Sequence, residues 1–251
     1  MNKEIISNYA VQLGDSSNIL SHRLAEMYAS GPTLEECIAL TNISLDHLGQ
    51  ATSFYEYAAK LDNDGKTADD IAYRRNERQY FNHQLVEQPN VNFAHVMLRQ
   101  FFVDSFNIHY YAALCNSSDE MIAAIAAKGI KEVRYHRQHS SQWLLRLGKG
   151  TKVSHDKLKD AMIHLWPYTN EYFISDANEK SLVEATIAPD LAKIKELWSN
   201  DVEAMLQEIN LEIPSSGHKA QGGKEGKHTE HLGHIISEMQ YLPRAYPDAK
   251  W

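Results

Sequence analysis

Residues 120–147, EMIAAIAAKGIKEVRYHRQHSSQWLLRL, decide how the chain is interpreted. Apolar residues recur at helical spacing through this stretch, which predicts a long amphipathic helix. Its centre, Glu132-Val-Arg-Tyr135-His136, nearly spells Glu-x-x-His, the ligand pair that a helix of a four-helix carboxylate bundle contributes to a di-metal centre. Tyr135 stands where the histidine of that motif should be, and His136 comes one residue late. The stretch therefore indicates a bundle helix with an incomplete metal motif.

Helix signals continue through almost all of the 251 residues, and the alternation typical of strands is scarce. Capping boxes, glycine stops and prolines divide the chain into predicted segments. These predicted helices cover residues 3–12, 15–29, 33–61, 67–88, 90–115, 117–147, 154–173, 189–209 and 229–242. No composition break marks a domain boundary. The sequence therefore predicts a single all-α domain over residues 1–251.

Two long helical pairs, residues 15–61 and 90–147, are predicted to form the halves of a ferritin-like four-helix bundle. The bundle core spans about 15–147, with residues 67–88 as the crossover between the pairs. Residues 154–251 are predicted as a C-terminal helical extension that supplies additional flanking helices. The predicted architecture is thus a ferritin-like bundle with added helices.

Composition excludes several classes of protein. A net charge of −8 supplies no broad cationic face for nucleic acid. The N-terminal residues lack the apolar core of a signal peptide, and no apolar run approaches about 18 residues. Cys37 and Cys115 lie within helical patterns and are predicted to be apolar fillers rather than a disulfide. We expect a soluble cytoplasmic protein that binds neither membrane nor nucleic acid.

Four acidic residues lie on or beside the apolar stripes of four predicted helices, in the order that a di-iron bundle requires. They are Glu26, Asp46, Asp104 and Glu132. A buried carboxylate is costly unless it is paired, hydrogen-bonded or bound to metal, so their positions indicate a polar site within the bundle. Internal salt bridges are the alternative explanation.

The histidines that such a di-iron site needs are missing. Residues i and i+3 share a helix face, but Gly49 follows Asp46 at that spacing and has no side chain to bind metal. His47 lies about 100° round the helix from Asp46 and should face elsewhere. His136 can approach the site, yet one histidine does not replace two. We therefore predict no metal in this chain and a vestigial site made of Glu26, Asp46, Asp104, Glu132 and His136.

Two other segments are candidates for binding. His228, His231 and His234 could hold a metal at a helix start, although a polar interface or capping role is favoured. Residues 74–82 mix three arginines with aromatic side chains, a composition that can grip a phosphate and a flat ring, or simply form a solvated helix face. No nucleotide-binding, hydrolase or zinc motif is present in the sequence.

Several strings of the sequence together resemble the C-subunit family of the bacterial 1,2-phenylacetyl-CoA epoxidases, multicomponent monooxygenases of phenylacetate degradation. The resemblance covers nearly the whole chain. The strings are Leu13-Gly-Asp15, Asn42-Ile-Ser-Leu-Asp-His-Leu-Gly-Gln-Ala51, Glu77-Arg-Gln-Tyr80, Val86-Glu-Gln-Pro-Asn90, Ile130-Lys-Glu-Val-Arg-Tyr-His136, His228-Thr-Glu-His-Leu-Gly233 and Glu238-Met-Gln-Tyr-Leu242.

The resemblance implies a structural subunit without a catalytic centre of its own. It would pair tightly with a homologous A subunit that carries the di-iron centre and inserts one oxygen atom from O2 into the ring of phenylacetyl-CoA. Electrons would come from NADPH through a separate reductase that holds FAD and an iron–sulfur centre. The chain itself would hold no cofactor, in agreement with the missing histidines.

The resemblance also implies residues that contact the CoA thioester. The first set is Gln79, Tyr80, Phe81 and Asn82, and the second is Lys180, Ser181 and Leu182. Phe81 stands where the family pattern has a smaller, polar residue. In the second set only Leu182 fits the pattern.

Two alternatives remain at this point. The first is an autonomous di-iron oxidase that uses Glu26, Asp46, Asp104, Glu132 and His136. The second is an iron-storage cage, which is the weaker alternative because the sequence lacks an intact ferroxidase site. Iron content and O2 consumption of the isolated chain distinguish both from a scaffold.

Overall fold

The computed structural model describes residues 2–215, 219–247 and 249, and every regular element in them is helical. The predicted all-α class is confirmed. Short 3₁₀ turns join some of the helices. The α-helices are α1 (Lys3–Ala25), α2 (Leu34–Asp62), α3 (Ala68–Tyr73), α4 (Phe93–Leu114), α5 (Glu120–Gly148), α6 (Lys152–Leu165), α7 (Ala177–Glu184), α8 (Leu191–Glu208) and α9 (Glu230–Ala245).

The chain forms two compact units. The first combines the residues up to Pro89 with those from Gln221 onward, and the second runs from Asn90 to Ala220. Each unit contains one of the two long helical pairs predicted from the sequence. The first unit is therefore discontinuous along the chain, and the second is continuous.

In the first unit α1 and α2 pack as an antiparallel pair. Ser21 and Ser44 hydroxyls lie 3.2 Å apart, and nearer the open end of the pair Gly14 faces the ring of Tyr55. A Cβ at Gly14 would lie 2.6 Å from that ring, so glycine allows the close packing of the two helices. The predicted helix break at Gly14 is wrong, because the glycine makes room for a ring within one continuous helix.

Residues 67–88 differ from the predicted crossover helix. Helix α3 begins at a capping box formed by Thr67 and Asp70, and it ends after only 6 residues at Tyr73. Residues Glu77–Gln79 and Gln84–Glu87 form 3₁₀ turns separated by extended backbone. The helix ends early because side chains of other elements bind the backbone groups of this segment, as described below.

In the second unit α4 and α5 form the other antiparallel pair, with the rings of Phe93 and Trp143 edge to face at 4.9 Å. Helices α6 and α8 pack on α4. The indole nitrogen of Trp198 on α8 donates to the carbonyl oxygen of Phe102 at 3.0 Å, which ties the two helices together. The core of this unit is thus rich in aromatic contacts.

Three helix boundaries in the second unit depart from the predictions. Helix α6 ends at Leu165, and Pro167 lies in a 3₁₀ turn instead of a bent helix that continues to residue 173. Helix α7 is absent from the predicted segments. Asp190 caps α8 through a hydrogen bond to the amide of Ala192, so Pro189 precedes the helix.

Two further observations concern the whole described chain. Cys37 and Cys115 are free, as predicted, but they are half-buried rather than buried. Among the helices of residues 2–215 and 219–247, none is both long and apolar enough to cross a membrane.

Candidate functional site

In the first unit the two predicted metal carboxylates are not directed into the core. Glu26 is exposed at the C-terminal end of α1 and forms a salt bridge with Arg23 at 2.7 Å. On α2 the buried face carries His47, which is completely inaccessible, whereas Asp46 is half-buried. The predicted orientation of this helix therefore needs correction: His47 is the inward residue and Asp46 lies at the edge.

The second unit requires the same correction on α5. The buried face of that helix includes Val133, His136 and Ser140. Glu132 is half-buried and Tyr135 is 49% exposed, so neither end of the near-motif Glu-x-x-Tyr points fully inward. His136, the histidine that comes one residue late, is the member of this stretch that enters the core.

Asp104 on α4 is the predicted site residue that is completely buried as expected. Ser140 Oγ donates to its Oδ2 at 2.8 Å, and Gln100 Nε2 donates to its Oδ1 at 2.7 Å. Burial raises the pKa of Asp104 to about 6, although His136, the two hydrogen bonds and Arg137 oppose the rise. The result is a buried carboxyl group that changes its charge near neutral pH.

Of the predicted site residues in the second unit, Asp104 and His136 are thus the two that are completely buried. A di-iron bundle of this class uses four carboxylates and two histidines. Because Glu132 lies off the buried face, α4 and α5 do not present the carboxylate–histidine pattern of that class. The polar group around Asp104 is instead a hydrogen-bonded network that joins the two helices.

The predicted CoA-contact segment 79–82 lies in the first unit and alternates between surface and core. Gln79 is exposed and Phe81 half-buried, while Tyr80 and Asn82 are completely buried. Tyr80 Oη donates to the carbonyl oxygen of Ala72 at 2.5 Å. Only Gln79 and Phe81 of this set therefore reach the surface, and the other two hold the segment in place.

Asp15 anchors this segment to α1. Its Oδ2 accepts from the backbone amide of Phe81 at 2.8 Å and from Arg75 Nη1 at 3.0 Å, and its Oδ1 accepts from Tyr55 Oη at 2.7 Å. Arg75 also lies over the ring of Tyr80, 4.2 Å from its centroid. Burial raises the pKa of Tyr55 well above its usual range and that of Tyr80 to about 12, so both phenols stay neutral hydrogen-bond donors.

Glu87 forms a second anchor, and it joins the segment to the chain before α9. Its Oε1 accepts from the backbone amide and the hydroxyl of Thr229 at 2.6 and 2.8 Å. Its Oε2 accepts from Asn82 Nδ2 at 3.0 Å and lies 3.1 Å from His228 Nδ1. The other nitrogen of His228, Nε2, lies 2.8 Å from the carbonyl oxygen of Tyr80.

Further contacts reinforce this attachment of the C-terminal residues. Gln240 Nε2 on α9 donates to Tyr80 Oη at 2.8 Å, and it also contacts the carbonyl oxygen of Arg75 at 2.8 Å. Gln84 Nε2 donates to the carbonyl oxygen of Lys227 at 2.7 Å. Residues 75–88 thus owe their conformation to side chains from α1 and from residues 227–240.

The second predicted contact set lies on α7 in the second unit. Lys180 is exposed, Ser181 is half-buried with its hydroxyl bonded to the carbonyl oxygen of Asn178 at 2.7 Å, and Leu182 is buried. Asp176 and Glu179 form a capping box at the start of this helix. Lys180 is therefore the member of this set with an accessible charged end.

The histidine cluster at the start of α9 does not converge on a metal. His228 is bound to Glu87 and Tyr80, His231 is half-buried, and His234 is exposed further round the helix. His228 has a structural role, the one that the sequence favoured over metal binding. The arginines of residues 74–82 are likewise divided: Arg75 turns inward, while Arg74 and Arg78 are exposed.

Comparison with known proteins assigns the chain to a class. The profile of the family described as "Phenylacetic acid catabolic protein" matches residues 2–251, so the chain belongs to that family. Among curated proteins it is similar to the C subunit of 1,2-phenylacetyl-CoA epoxidase from Escherichia coli (strain K12). The two sequences are 44% identical over 246 residues, which cover 98% of this chain and 99% of the relative. The resemblance stated from the sequence is confirmed.

The sequence singled out residues 79–82 but did not indicate which residues hold them in place. The structure assigns that role to Asp15, Arg75, Glu87 and His228. Three of these four lie in strings that carry the resemblance. The signal was available in those strings. Their partners could not be paired from the sequence, because His228 and Glu87 are 141 residues apart.

Proposed function

We propose that this chain is a non-catalytic structural subunit of a 1,2-phenylacetyl-CoA epoxidase. The observation that carries the proposal is identity of 44% along nearly the full length of a protein named as the C subunit of that enzyme. The relative's name describes one part of a multi-subunit enzyme, which supports a subunit role and offers no support for an autonomous oxidase.

The side-chain orientations support the absence of a catalytic centre. Glu26 is paired with Arg23 at the surface, and Asp46 and Glu132 lie off the buried faces of their helices. Asp104 is engaged by Ser140 and Gln100. These contacts favour a polar network that stabilises helix packing over a ligand set for two irons.

In this proposal the chemistry takes place in a partner. A homologous A subunit would hold the di-iron centre and epoxidise the ring of phenylacetyl-CoA. A reductase subunit with FAD and an iron–sulfur centre would deliver electrons from NADPH. This chain would hold no cofactor, scaffold the A subunit and act in the cytoplasm. The confirmed family, whose description names phenylacetic acid catabolism, supports this assignment.

Co-purification with separate metal analysis tests the scaffold role. The chain is expressed alone and together with the A subunit, and iron is measured for each isolated subunit and for the complex. We expect a stable complex, about two irons per A subunit, and iron far below one equivalent in this chain. Stoichiometric iron in the isolated chain, together with O2 consumption, would overturn the proposal.

An Asp104→Ala variant sharpens this test. For a scaffold, the substitution changes the stability of this chain or its assembly with the A subunit, and it leaves iron content of the A subunit unchanged. For an autonomous oxidase, it abolishes metal binding in this chain. Asp190→Asn, which removes an exposed charge from the same unit and keeps the cap of α8, serves as the control.

We further propose that residues 79–82 contribute to the groove that binds the CoA thioester, with Lys180, Ser181 and Leu182 as a second contact. The accessible members are Gln79, Phe81 and Lys180. In the assembled enzyme, Phe81→Ala and Gln79→Ala should raise KM for phenylacetyl-CoA while kcat changes little. Lys60→Ala, an exposed change on α2 in the same unit, is the matched control. Unchanged KM in both variants would remove this segment from the groove.

A further inference from the structure

Tyr80, Phe81 and Asn82 have no regular hydrogen-bonding pattern of their own, so contacts from elsewhere must fix them. The backbone at Tyr80 is extended, with φ −91° and ψ 146°. Side chains of Tyr80 and Asn82 point inward and that of Phe81 lies between them, half-buried. The direction of Phe81 therefore depends on how firmly its two neighbours are held.

His228 holds both neighbours. Its Nε2 contacts the carbonyl oxygen of Tyr80 at 2.8 Å, and its Nδ1 contacts Glu87 Oε2, the oxygen that also receives Asn82 Nδ2. The ring of His228 thus contacts the backbone of Tyr80, on one side of Phe81. Through Glu87 it is also linked to the side chain of Asn82, on the other side.

Both ring nitrogens of His228 face acceptors. A carbonyl oxygen can only accept, so Nε2 carries a proton. The Glu87 carboxylate already accepts two bonds from Thr229 and one from Asn82, so it acts as an acceptor toward Nδ1 as well. A neutral imidazole has one N–H and would leave one of these contacts between two acceptors. With Glu87 ionised, an imidazolium that donates from both nitrogens satisfies all of these contacts.

The pair is enclosed, since the side chains of His228 and Glu87 both have 0% exposure. A buried cation and a buried carboxylate stabilise each other's charged form, and loss of either charge leaves the other uncompensated. The charge of His228 therefore supports the pairing with Glu87, whose Oε2 also holds Asn82.

Other charged and titratable groups lie on the segments next to this pair. Arg23 on α1 donates to the carbonyl oxygen of Glu87 from Nε and Nη2 at 3.0 and 2.8 Å. Burial and Lys224 lower the pKa of His83 well below its usual range, so His83 adds no charge near neutral pH. The remaining groups on the adjoining segments are Glu26, Arg75, Glu225, Lys227, Glu230 and His231.

We propose that His228, as an imidazolium paired with Glu87, is the positioning residue that presents Phe81 and Gln79 to the CoA thioester. This inference rests on the proposed function for the identity of the ligand. The positioning itself concerns the backbone of residues 79–82 and can be measured without any ligand.

The first measurement is ¹⁵N NMR of the histidine rings in the intact chain at pH 7. Both nitrogens of His228 should be protonated. A single protonated nitrogen would overturn the proposal, and this result is independent of whether any variant folds.

The second measurement is hydrogen exchange in His228→Gln, with His234→Gln as the matched control because it removes an exposed histidine from α9. Glutamine can donate once through its amide and carries no charge. We expect exchange at residues 80–83 to rise about tenfold in His228→Gln and to stay unchanged in His234→Gln. Unchanged exchange in folded His228→Gln would refute the positioning role.

The third measurement links positioning to binding in the assembled epoxidase. His228→Gln should raise KM for phenylacetyl-CoA about tenfold with kcat within about twofold. Increased exchange in His228→Gln with no change of KM in Phe81→Ala would refute the proposed groove and leave the positioning intact. An unchanged KM in His228→Gln, when Phe81→Ala does raise KM, would refute the positioning role in binding.

Discussion

The two units bury carboxylates under opposite conditions. In the first unit, Asp15 faces Arg75 and Glu87 faces His228, and each carboxylate also receives a backbone N–H. In the second unit, Asp104 is just as inaccessible but receives hydrogen bonds from the neutral side chains of Ser140 and Gln100. A charged partner at hydrogen-bond distance favours ionisation, whereas at Asp104 burial outweighs both the hydrogen bonds and the charges of His136 and Arg137.

This contrast teaches that buried acids serve different purposes in the two units. Asp15 reaches an amide 66 residues away, and Glu87 reaches one 142 residues away, so their charges fix the course of irregular chain. Asp104 and Ser140 are 36 residues apart on two adjacent helices that already pack through apolar side chains. Charge specifies conformation in the first unit and costs stability in the second.

Asp15→Asn is the most direct test of this difference between the units, and it has the largest expected effect on stability. The substitution leaves the Arg75 guanidinium, 15% exposed, without its carboxylate, and it weakens the bond to the Phe81 amide. We expect the free energy of unfolding to fall by about 3–5 kcal/mol, measured by urea denaturation. Arg74→Gln, which breaks an exposed pair with Asp70, should cost at most about 1 kcal/mol. Similar losses in the two variants would contradict the role assigned to Asp15.

At pH 7.5 Asp104→Asn should raise the free energy of unfolding, whereas Asp15→Asn lowers it. Because the pKa of Asp104 is raised to about 6 in the folded chain, its favourable contribution is complete below pH 3.8 and is lost as pH rises to about 6. We expect the variant to be more stable by on the order of 3 kcal/mol at pH 7.5 and equal to the parent near pH 4.

Thermal or urea unfolding at the two pH values checks the prediction for Asp104. Asp190→Asn is the control, because Asp190 is an exposed helix cap and asparagine caps equally well. A destabilised Asp104→Asn at pH 7.5 would mean that the ionised carboxylate is needed, and the two units would then be alike.

Gly226→Ala tests the close approach of the C-terminal residues to residues 74–88 within the first unit. Gly226 has φ +73°, and a Cβ there would collide with the carbonyl oxygen of Arg78. Gly65 has a similar φ of +88° with no atom within 4 Å of an added Cβ, so Gly65→Ala isolates the backbone cost alone. We expect Gly226→Ala to lose about 2 kcal/mol more than Gly65→Ala in urea unfolding. Equal losses would show that the approach to Arg78 adds nothing.

The last prediction concerns the pH dependence of stability at His95 in the second unit. Burial, followed by the neighbouring His164, lowers the pKa of His95 to about 4. A depressed histidine stabilises the fold above its unfolded pKa of about 6.5, and this contribution is lost as pH falls toward 4. His95→Gln should therefore unfold with a weaker dependence on pH between about 6.5 and 4, in a series of melting curves. A parallel pH dependence in both proteins would contradict this assignment.

The sequence predicted the all-α class and both long helical pairs, because apolar spacing and capping residues are local signals. Thr33 and Thr229 mark the starts of α2 and α9, as predicted. Gly14 was misread, since a glycine that ends a helix and one that accommodates the ring of Tyr55 look alike in sequence.

The site was predicted less well, because facing residues depend on exact helix rotation. A difference of one position separates Asp46 from His47 and Tyr135 from His136, and each step turns the side chain by about 100°. The spacing argument placed Asp46, Glu132 and His136 in the site, whereas the structure buries His47 and His136 and leaves Asp46 and Glu132 half-buried. The conformation of residues 74–88 was not predictable locally, because distant side chains of α1 and α9 determine it.

The discontinuity of the first unit has a consequence for synthesis of the chain. The backbone of Arg75 is bonded to Gln240, 165 residues later. At about 5–20 residues per second, the ribosome needs roughly 10–30 s to make the residues between them. During this interval α1, α2 and residues 74–88 have emerged while His228 and Gln240 do not yet exist. A nascent chain that stops before Gln221 therefore lacks the contacts that complete the predicted substrate segment, and only a finished polypeptide can offer that segment in its folded form.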